Sequence, residues 1–306
     1  MNYVKQLRAI LKASGWTQAE LASQLNVSFV TLNSWINNKA KPRKKALEAI
    51  RLVYFQVLGT DSLNVGYLEE LKEKVESLKI NISQITEKKE VLDRLILHLT
   101  YHTNVIEGST MTLDDTKAVL FDNRVLANRT QIEQLEARNH RAALIWLLGE
   151  LQTISFEFSE NTIKSLHLRL MNGIIENAGI YRNHSVRIMG SHVSVANYLK
   201  VPELIEELLS EINTKFSEKE VINKLSNTHA VFEKIHPFSD GNGRVGRLLM
   251  LAQAIKAGTI PPLVIKERRQ AYYKYLEIAQ TDNKLVPLQV FIAESIISAD
   301  EILFTK

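Results

Sequence analysis

The sequence predicts an all-α chain made of a small basic head and a larger helical body that carries one small β-hairpin flap. Apolar residues recur at spacings of three and four along most of the chain, the mark of amphipathic helices. The first sixty residues break into short segments punctuated by a glycine and by capping residues. Only Ser185–Ser191 alternates like a strand, with polar turns on either side. At 306 residues the chain is long enough for two or three domains, and a 45% hydrophobic content supplies a sizeable core.

In the head, Val4, Leu7, Ile10 and Leu11 form an apolar stripe that stops at Gly15. Thr17-Gln-Ala-Glu20 reads as a capping box, after which Leu21, Ala22 and Leu25 face inward. Asn26-Val27 turns the chain, and Ser28 caps a third helix over Phe29–Asn37 with Leu32, Trp35 and Ile36 inside. Pro42 leads to a fourth helix with Leu47, Ile50 and Val53 inside. Two short helices joined by so few residues cross steeply and leave the third projecting. Residues 1–60 carry nine Lys/Arg and two Asp/Glu, a net +7, whereas the remaining 246 residues carry −3. Such a head fits nucleic acid; a plain solvated basic face is the competing reading.

Through TQAELASQLNVS, Trp35 and Pro42, residues 1–57 resemble the repressor-type helix-turn-helix family. The resemblance implies DNA reading from the start of the third helix, with Ser28, Phe29 and Asn33 at base edges and Asn37, Lys39 and Lys41 near phosphates. Phe29 stands where a polar reader such as Gln is usual. An aromatic can touch a thymine methyl but makes no bidentate hydrogen bond. The alternative is a helical docking module that binds protein.

Gly59–Ser62 reads as a linker closing the 1–60 head, followed by a linker and long charged helix over 61–91 and by the body over 92–306. Leu68, Leu71, Val75, Leu78, Ile82 and Ile85 form a heptad seam that Lys89 interrupts and Leu92, Ile96 and Leu99 resume. It suits a coiled-coil homodimer or a helix laid along its own domain. The chain has no Cys, which excludes disulfides and thiolate metal sites and fits a reducing cytoplasm. No apolar run reaches the roughly 18 residues of a membrane span, and MNYVKQLRAI lacks a secretory core, so no membrane partner is expected.

The residues that carry chemistry lie at His236–Arg247. Asn227–Ile235 is helical in pattern, and Pro237 disfavours helical geometry at His236, which leaves the imidazole at an edge. Gly241-Asn242-Gly243 feeds a helix start, a ready anion site of free amides and positive dipole. Arg244 and Arg247, at i and i+3, share a face and can clamp a polyphosphate. Asp240 beside them is a natural Mg²⁺ ligand. The GxxxxGK order of a Walker loop is absent.

This stretch is similar to the Fic family, whose pattern HxFx(D/E)GNGRxxR it matches at every fixed position. The likeness extends over roughly 92–295, including Gly179-Ile-Tyr-Arg182 and Arg269–Asn283. It implies a helical bundle with a β-hairpin flap, and transfer of AMP from ATP to a Ser, Thr or Tyr hydroxyl of a target protein. It further implies His236 as general base, Phe238 as a buried anchor and Asp240 as holder of Mg²⁺. Gly241, Asn242 and Gly243 would bind phosphate oxygens, and Arg244 and Arg247 would stabilise the departing pyrophosphate. Gly243, where some relatives carry Lys, favours AMP transfer over reversed-nucleotide phosphorylation. Tyr273 would border the adenine and Gln280 contact it. The flap residues Val186, Arg187, Ile188, Met189 and Gly190 are expected to align the target by strand addition.

Thr103-Asn-Val-Ile-Glu107-Gly108 resembles the family's inhibitory pattern of Ser or Thr, three residues, Glu, then Gly or Asn, placing an inhibitory helix near 100–108. The resemblance implies a Glu107–Arg247 pair that turns ATP into an unproductive pose. Two other functions stay open: removal of AMP from a modified target, with Glu107 positioning a water, and a transcription regulator whose body only senses nucleotide.

Overall fold

The computed structural model describes residues 3–58, 65–215 and 217–304, so the expected linker at Gly59–Ser62 lies outside the described residues. In the head, α1 (Tyr3–Ser14) packs on α4 (Lys44–Leu58), and α2 (Gln18–Gln24) on α3 (Phe29–Ile36). Gly15 ends α1 at φ +71°, a left-handed angle that glycine adopts freely. The Thr17–Glu20 capping box is present, and Ser28 accepts a hydrogen bond from the Thr31 amide at 3.1 Å. Leu7, Ile10, Leu21, Leu32 and Ile50 are fully buried.

The long charged helix is three helices: α5 (Val65–Ser77), α6 (Ile82–Thr86) and α7 (Lys89–Ile106). Asn81 and Gln84 form a capping box that starts α6 afresh. Ahead of it the Ile80 amide donates to the Gly258 carbonyl at 2.9 Å, and Lys79 bridges to Thr259. Leu68, Leu71 and Val75 are buried where α5 lies along α15 (Val286–Phe304). The seam is therefore spent inside the chain, which removes it as a coiled-coil contact.

The body continues with α8 (Leu113–Leu120), α9 (Gln131–Leu151), α10 (Glu160–Met171), α11 (Val201–Asn213), α12 (Val221–Ile235), α13 (Asn242–Lys256) and α14 (Arg269–Thr281). Helix α13 is buried on all sides from Arg244 to Ile255, as the central rod of a bundle must be. It packs against α12, α10, α9 and α7.

The expected hairpin flap is not formed: among the described residues no strand occurs. Val186–Met189 runs as irregular chain into a turn at Gly190 (φ +74°), where the Ser191 amide donates to the Ile188 carbonyl at 3.3 Å. The segment is pinned from outside instead, by the His192 amide on Glu277 at 3.0 Å and the buried Val193. Period-two alternation needs a partner and a buried face to become a strand. Here Arg187 and Met189 face solvent, and a lone two-stranded ribbon is marginal.

Candidate functional site

Helix α12 ends at Ile235, and His236 turns left-handed at φ 51°, ψ 60°. Pro237 disfavours continued helix at that position, and a left-handed non-glycine residue must be held by its surroundings. Arg182 supplies the hold. Its guanidinium, 3% exposed, donates to the carbonyls of His236 (2.7 Å) and His184 (2.9 Å), while its amide donates to the Pro237 carbonyl at 2.9 Å. His236 Nδ1 lies 3.2 Å from the Glu233 carbonyl, which can only accept, so Nδ1 carries the proton and Nε2 has its lone pair free. Burial holds the imidazole below the ordinary histidine range, so it is neutral near pH 7.

The next turn is locked from inside. Phe238 is fully buried and stacks on His167 at 3.7 Å between centroids. His167 Nδ1 accepts from the Gly179 amide at 2.7 Å, so its Nε2 donates to the Asp240 carbonyl at 3.0 Å. Asn242 closes the loop: Oδ1 accepts from the Phe238 amide (2.9 Å) and Nδ2 donates to the Phe238 carbonyl (2.8 Å). The Asn242 side chain is thus used within the loop, leaving backbone amides as what this stretch can offer an anion. Gly241 sits at φ +77°, and a Cβ there would lie 2.8 Å from the Met171 sulfur. Beyond it the first amides of α13 open outward at the positive end of the helix.

The charged groups ring this helix start. Asp240 is exposed; its Oδ1 accepts from the Gly241 amide at 2.6 Å, and Oδ2 stands 3.9 Å from Arg244 Nη2. Arg244 Nη1 donates to Glu136 at 2.6 Å. Arg247 Nε donates to Thr103 Oγ1 at 2.7 Å, Nη2 pairs with Glu107, and Nη1 is 3.5 Å from the Tyr272 hydroxyl. Burial alone would lower the Arg247 pKa, but Glu107, Tyr272 and Tyr273 together raise it, so the guanidinium stays charged. A Cβ at Gly243 would stand 2.6 Å from Glu107 Oε1, so a larger residue there would push this pair from its present position. Glu107 caps the C-terminus of α7, and Gly108 follows at φ +115°.

The structure thus gathers His236, Asp240, Gly241, Gly243, Arg244 and Arg247 at one helix start, with Thr103 and Glu107 upon it. Tyr273 borders them, half-exposed, its hydroxyl 3.5 Å from the Ile106 carbonyl. Gln280 is buried and spends Nε2 on the Ala230 carbonyl at 3.0 Å. Val186–Gly190 lies in the loop described above. In the head, Phe29 is 51% exposed and Lys39 and Lys41 are in solvent. Ser28 is occupied as a cap, while Asn33 donates to Gln18 at 3.2 Å and accepts from Asn37 at 2.9 Å. Sequence reasoning missed His167, Glu136 and Gln18, and it saw Arg182 only within a motif; each acts through a partner 12 or more positions away.

The Fic/DOC family matches residues 157–254 and a helix-turn-helix family matches 7–55. A protein adenylyltransferase Fic from Nematostella vectensis is 31% identical over 225 residues, 71% of this chain and 51% of that one. One from Aedes aegypti is 27% identical over 76% of this chain and 47% of its own length. The chain therefore spans about half the length of these relatives. Among solved structures, Fic-1 from C. elegans superposes with a TM-score of 0.65 at 23% identity, over 93% of this chain and 84% of that one. A Fic domain containing signaling protein from Bacteroides thetaiotaomicron gives 0.61 at 21% identity, over 78% and 97%. Both show the fold.

Proposed function

Since the chain carries a Fic/DOC-family domain behind a helix-turn-helix head, we propose that it is a protein adenylyltransferase held off by Glu107. The observation that carries this reading is the meeting, at one helix start, of a neutral imidazole with a free Nε2, an anion cradle and two arginines, with Glu107 of another helix upon the second of them.

The target's Ser, Thr or Tyr hydroxyl gives its proton to His236 Nε2, and its oxygen attacks the α-phosphorus of ATP. The new O–P bond forms as the bond to the bridging oxygen breaks, and pyrophosphate leaves with the electron pair. The amides of Gly243 and Arg244, with both guanidiniums, meet the growing charge without reorganising. The exposed Asp240 carboxylate fits Mg²⁺, which takes one or two carboxylates beside substrate phosphates and supplies further charge neutralisation there. Glu107 keeps Arg247 from the γ-phosphate until it moves aside. Val186–Gly190 forms no strand among the described residues, and its main chain would be what it offers an extended target segment.

Incubating wild type, Glu107→Gly and Glu107→Gly/His236→Ala with labelled ATP and Mg²⁺ tests the reading by intact mass. A gain of one AMP is expected on the single variant and not on the double. Equal labelling of wild type and Glu107→Gly would remove Glu107 as the brake, and labelling of neither would remove the transfer activity. Because Glu107 stands over the cradle beside Gly243, it is also placed to orient a water, so the same proteins are offered an AMP-modified target to test the reverse cleavage. The basic head with solvent-facing Phe29, Lys39 and Lys41 supports DNA as a second partner. In that case the body would report nucleotide to a regulator.

A further inference from the structure

Both arginines of the cradle are paired with carboxylates, but the two acids are held very differently. Glu107 is the C-cap just beyond its helix, precedes a glycine, and its side chain is 30% exposed. Glu136 lies inside α9, and its side chain is 17% exposed. Helix α9 is anchored on both sides of it. Thr130 and Glu133 form a capping box at its start, Glu133 also accepts from the Thr110 amide at 2.6 Å, and Asn139 donates to the carbonyls of Leu170 (3.1 Å) and Asn172 (2.8 Å). His140 adds a 2.9 Å contact to Thr100 of α7. The backbone under Glu136 is held mid-helix and its side chain is the more buried of the two, whereas Glu107 stands at a helix end beside a glycine.

Arg244 needs such a partner. It is 3% exposed, and its Nε has no hydrogen-bond partner among the described residues. Asp240 is 3.9 Å from Nη2, too far for a hydrogen bond. The 2.6 Å bond from Nη1 to Glu136 is therefore the short polar contact that holds the guanidinium, and it leaves Nη2 on the side of Asp240.

We propose that Glu136 is the positioning residue of Arg244: it orients the guanidinium that meets the phosphates and stays paired through the reaction, while Glu107 leaves. This rests on the adenylyl-transfer reading. The two carboxylates have opposite duties, one obstructing and one aligning, so their removal has opposite effects on rate.

The test is a double-mutant cycle between Glu136→Ala and Arg244→Ala in full-length Glu107→Gly protein. With Arg244 present, Glu136→Ala should lower kcat on the order of 10- to 100-fold, with KM for ATP changed by less than about threefold. With Arg244→Ala already in place it should lower kcat no further. Glu136→Gln, which keeps the volume and one acceptor oxygen, should fall between Ala and the parent, and it carries the cycle if the alanine variant does not fold. An equal loss in both backgrounds, or a lower melting temperature with no loss of rate, overturns the proposal. If Glu107→Gly protein transfers no AMP at all, the adenylyl-transfer reading fails by itself. The same cycle is then read as ATP affinity by calorimetry, where a Glu136 effect independent of Arg244 again overturns the positioning role.

Discussion

His236 carries two demands, a left-handed backbone and a free Nε2. His236→Ala should reduce AMP transfer on the order of 10²–10⁴-fold while ATP affinity stays close to wild type, since the cradle is built by its neighbours. Alanine also loses the backbone preference, whereas asparagine is enriched in this conformation. His236→Asn should therefore be as inactive as His236→Ala but melt higher; an active variant of either kind would remove the imidazole from the chemistry. Glu233, one turn earlier, makes a pH prediction. Burial pushes its carboxyl up from 4.5 to about 8, helped by Glu107 and opposed by Arg247. The folded chain then keeps a proton that the unfolded chain has released, so this contribution is whole below about pH 4.5 and declines by up to about 1.4 kcal/mol per unit as pH rises toward 8. Glu233→Gln removes that slope. In thermal melts its stability relative to wild type should rise between pH 5 and 8; a constant difference would mean that Glu233 is ionised in the folded protein.

Helices α3, α7 and α12 show what local sequence can and cannot fix. Caps, terminators and apolar stripes are local, so the four head helices fall where Gly15, Thr17 and Ser28 place them. The charged turn from His236 to Arg247 is contiguous, and its residues meet because one loop and one helix start bring them together. What sequence does not display is the partner of each charge. Arg182, His167 and Glu136 reach the site from other elements, and no periodicity marks them. Alternation over Ser185–Ser191 was misleading because it describes a face without supplying a partner strand, and among the described residues none pairs with it. Heptad spacing over 68–99 left two readings open, and the structure has the helix laid along its own domain, α5 against α15. For α3 the prediction concerns DNA. Lys41 is exposed at the end of the third-helix turn, so Lys41→Ala should weaken binding on every sequence and reduce the logarithmic salt slope by about one. Asn33, tied to Gln18 and Asn37, should instead relax sequence preference when changed to Ala. Gel shifts across salt concentrations check both, and no binding of bulk DNA at low salt would favour a protein-docking head.

Head and body are joined by buried charge. Arg268, one residue before α14, lies 3.1 Å from Glu48 of α4 and 2.8 Å from Glu294 of α15; Glu294 also pairs with Arg51 and accepts from Tyr67 at 2.6 Å. Burial raises the Glu294 pKa, but Arg51 and Arg268 outweigh it and hold the carboxyl below its usual range. Removing Arg268 leaves two buried carboxylates sharing the one Arg51 guanidinium, so Arg268→Ala should cost about 3–5 kcal/mol. Calorimetry should then show head and body melting as two transitions where wild type shows one; a single, merely lower transition would mean that the apolar contacts alone couple them. The cluster also sets an order in time. Arg51 and Glu294 are 243 positions apart, and a ribosome making ~5–20 residues per second exposes the first many seconds before the second exists. Through that interval Glu48 and Arg51 have no Glu294 to meet, and the last long helix to emerge is the one that brings it. A chain whose translation stops short of α15 therefore lacks both Glu294 and the Phe291 ring on which the Arg268 guanidinium lies.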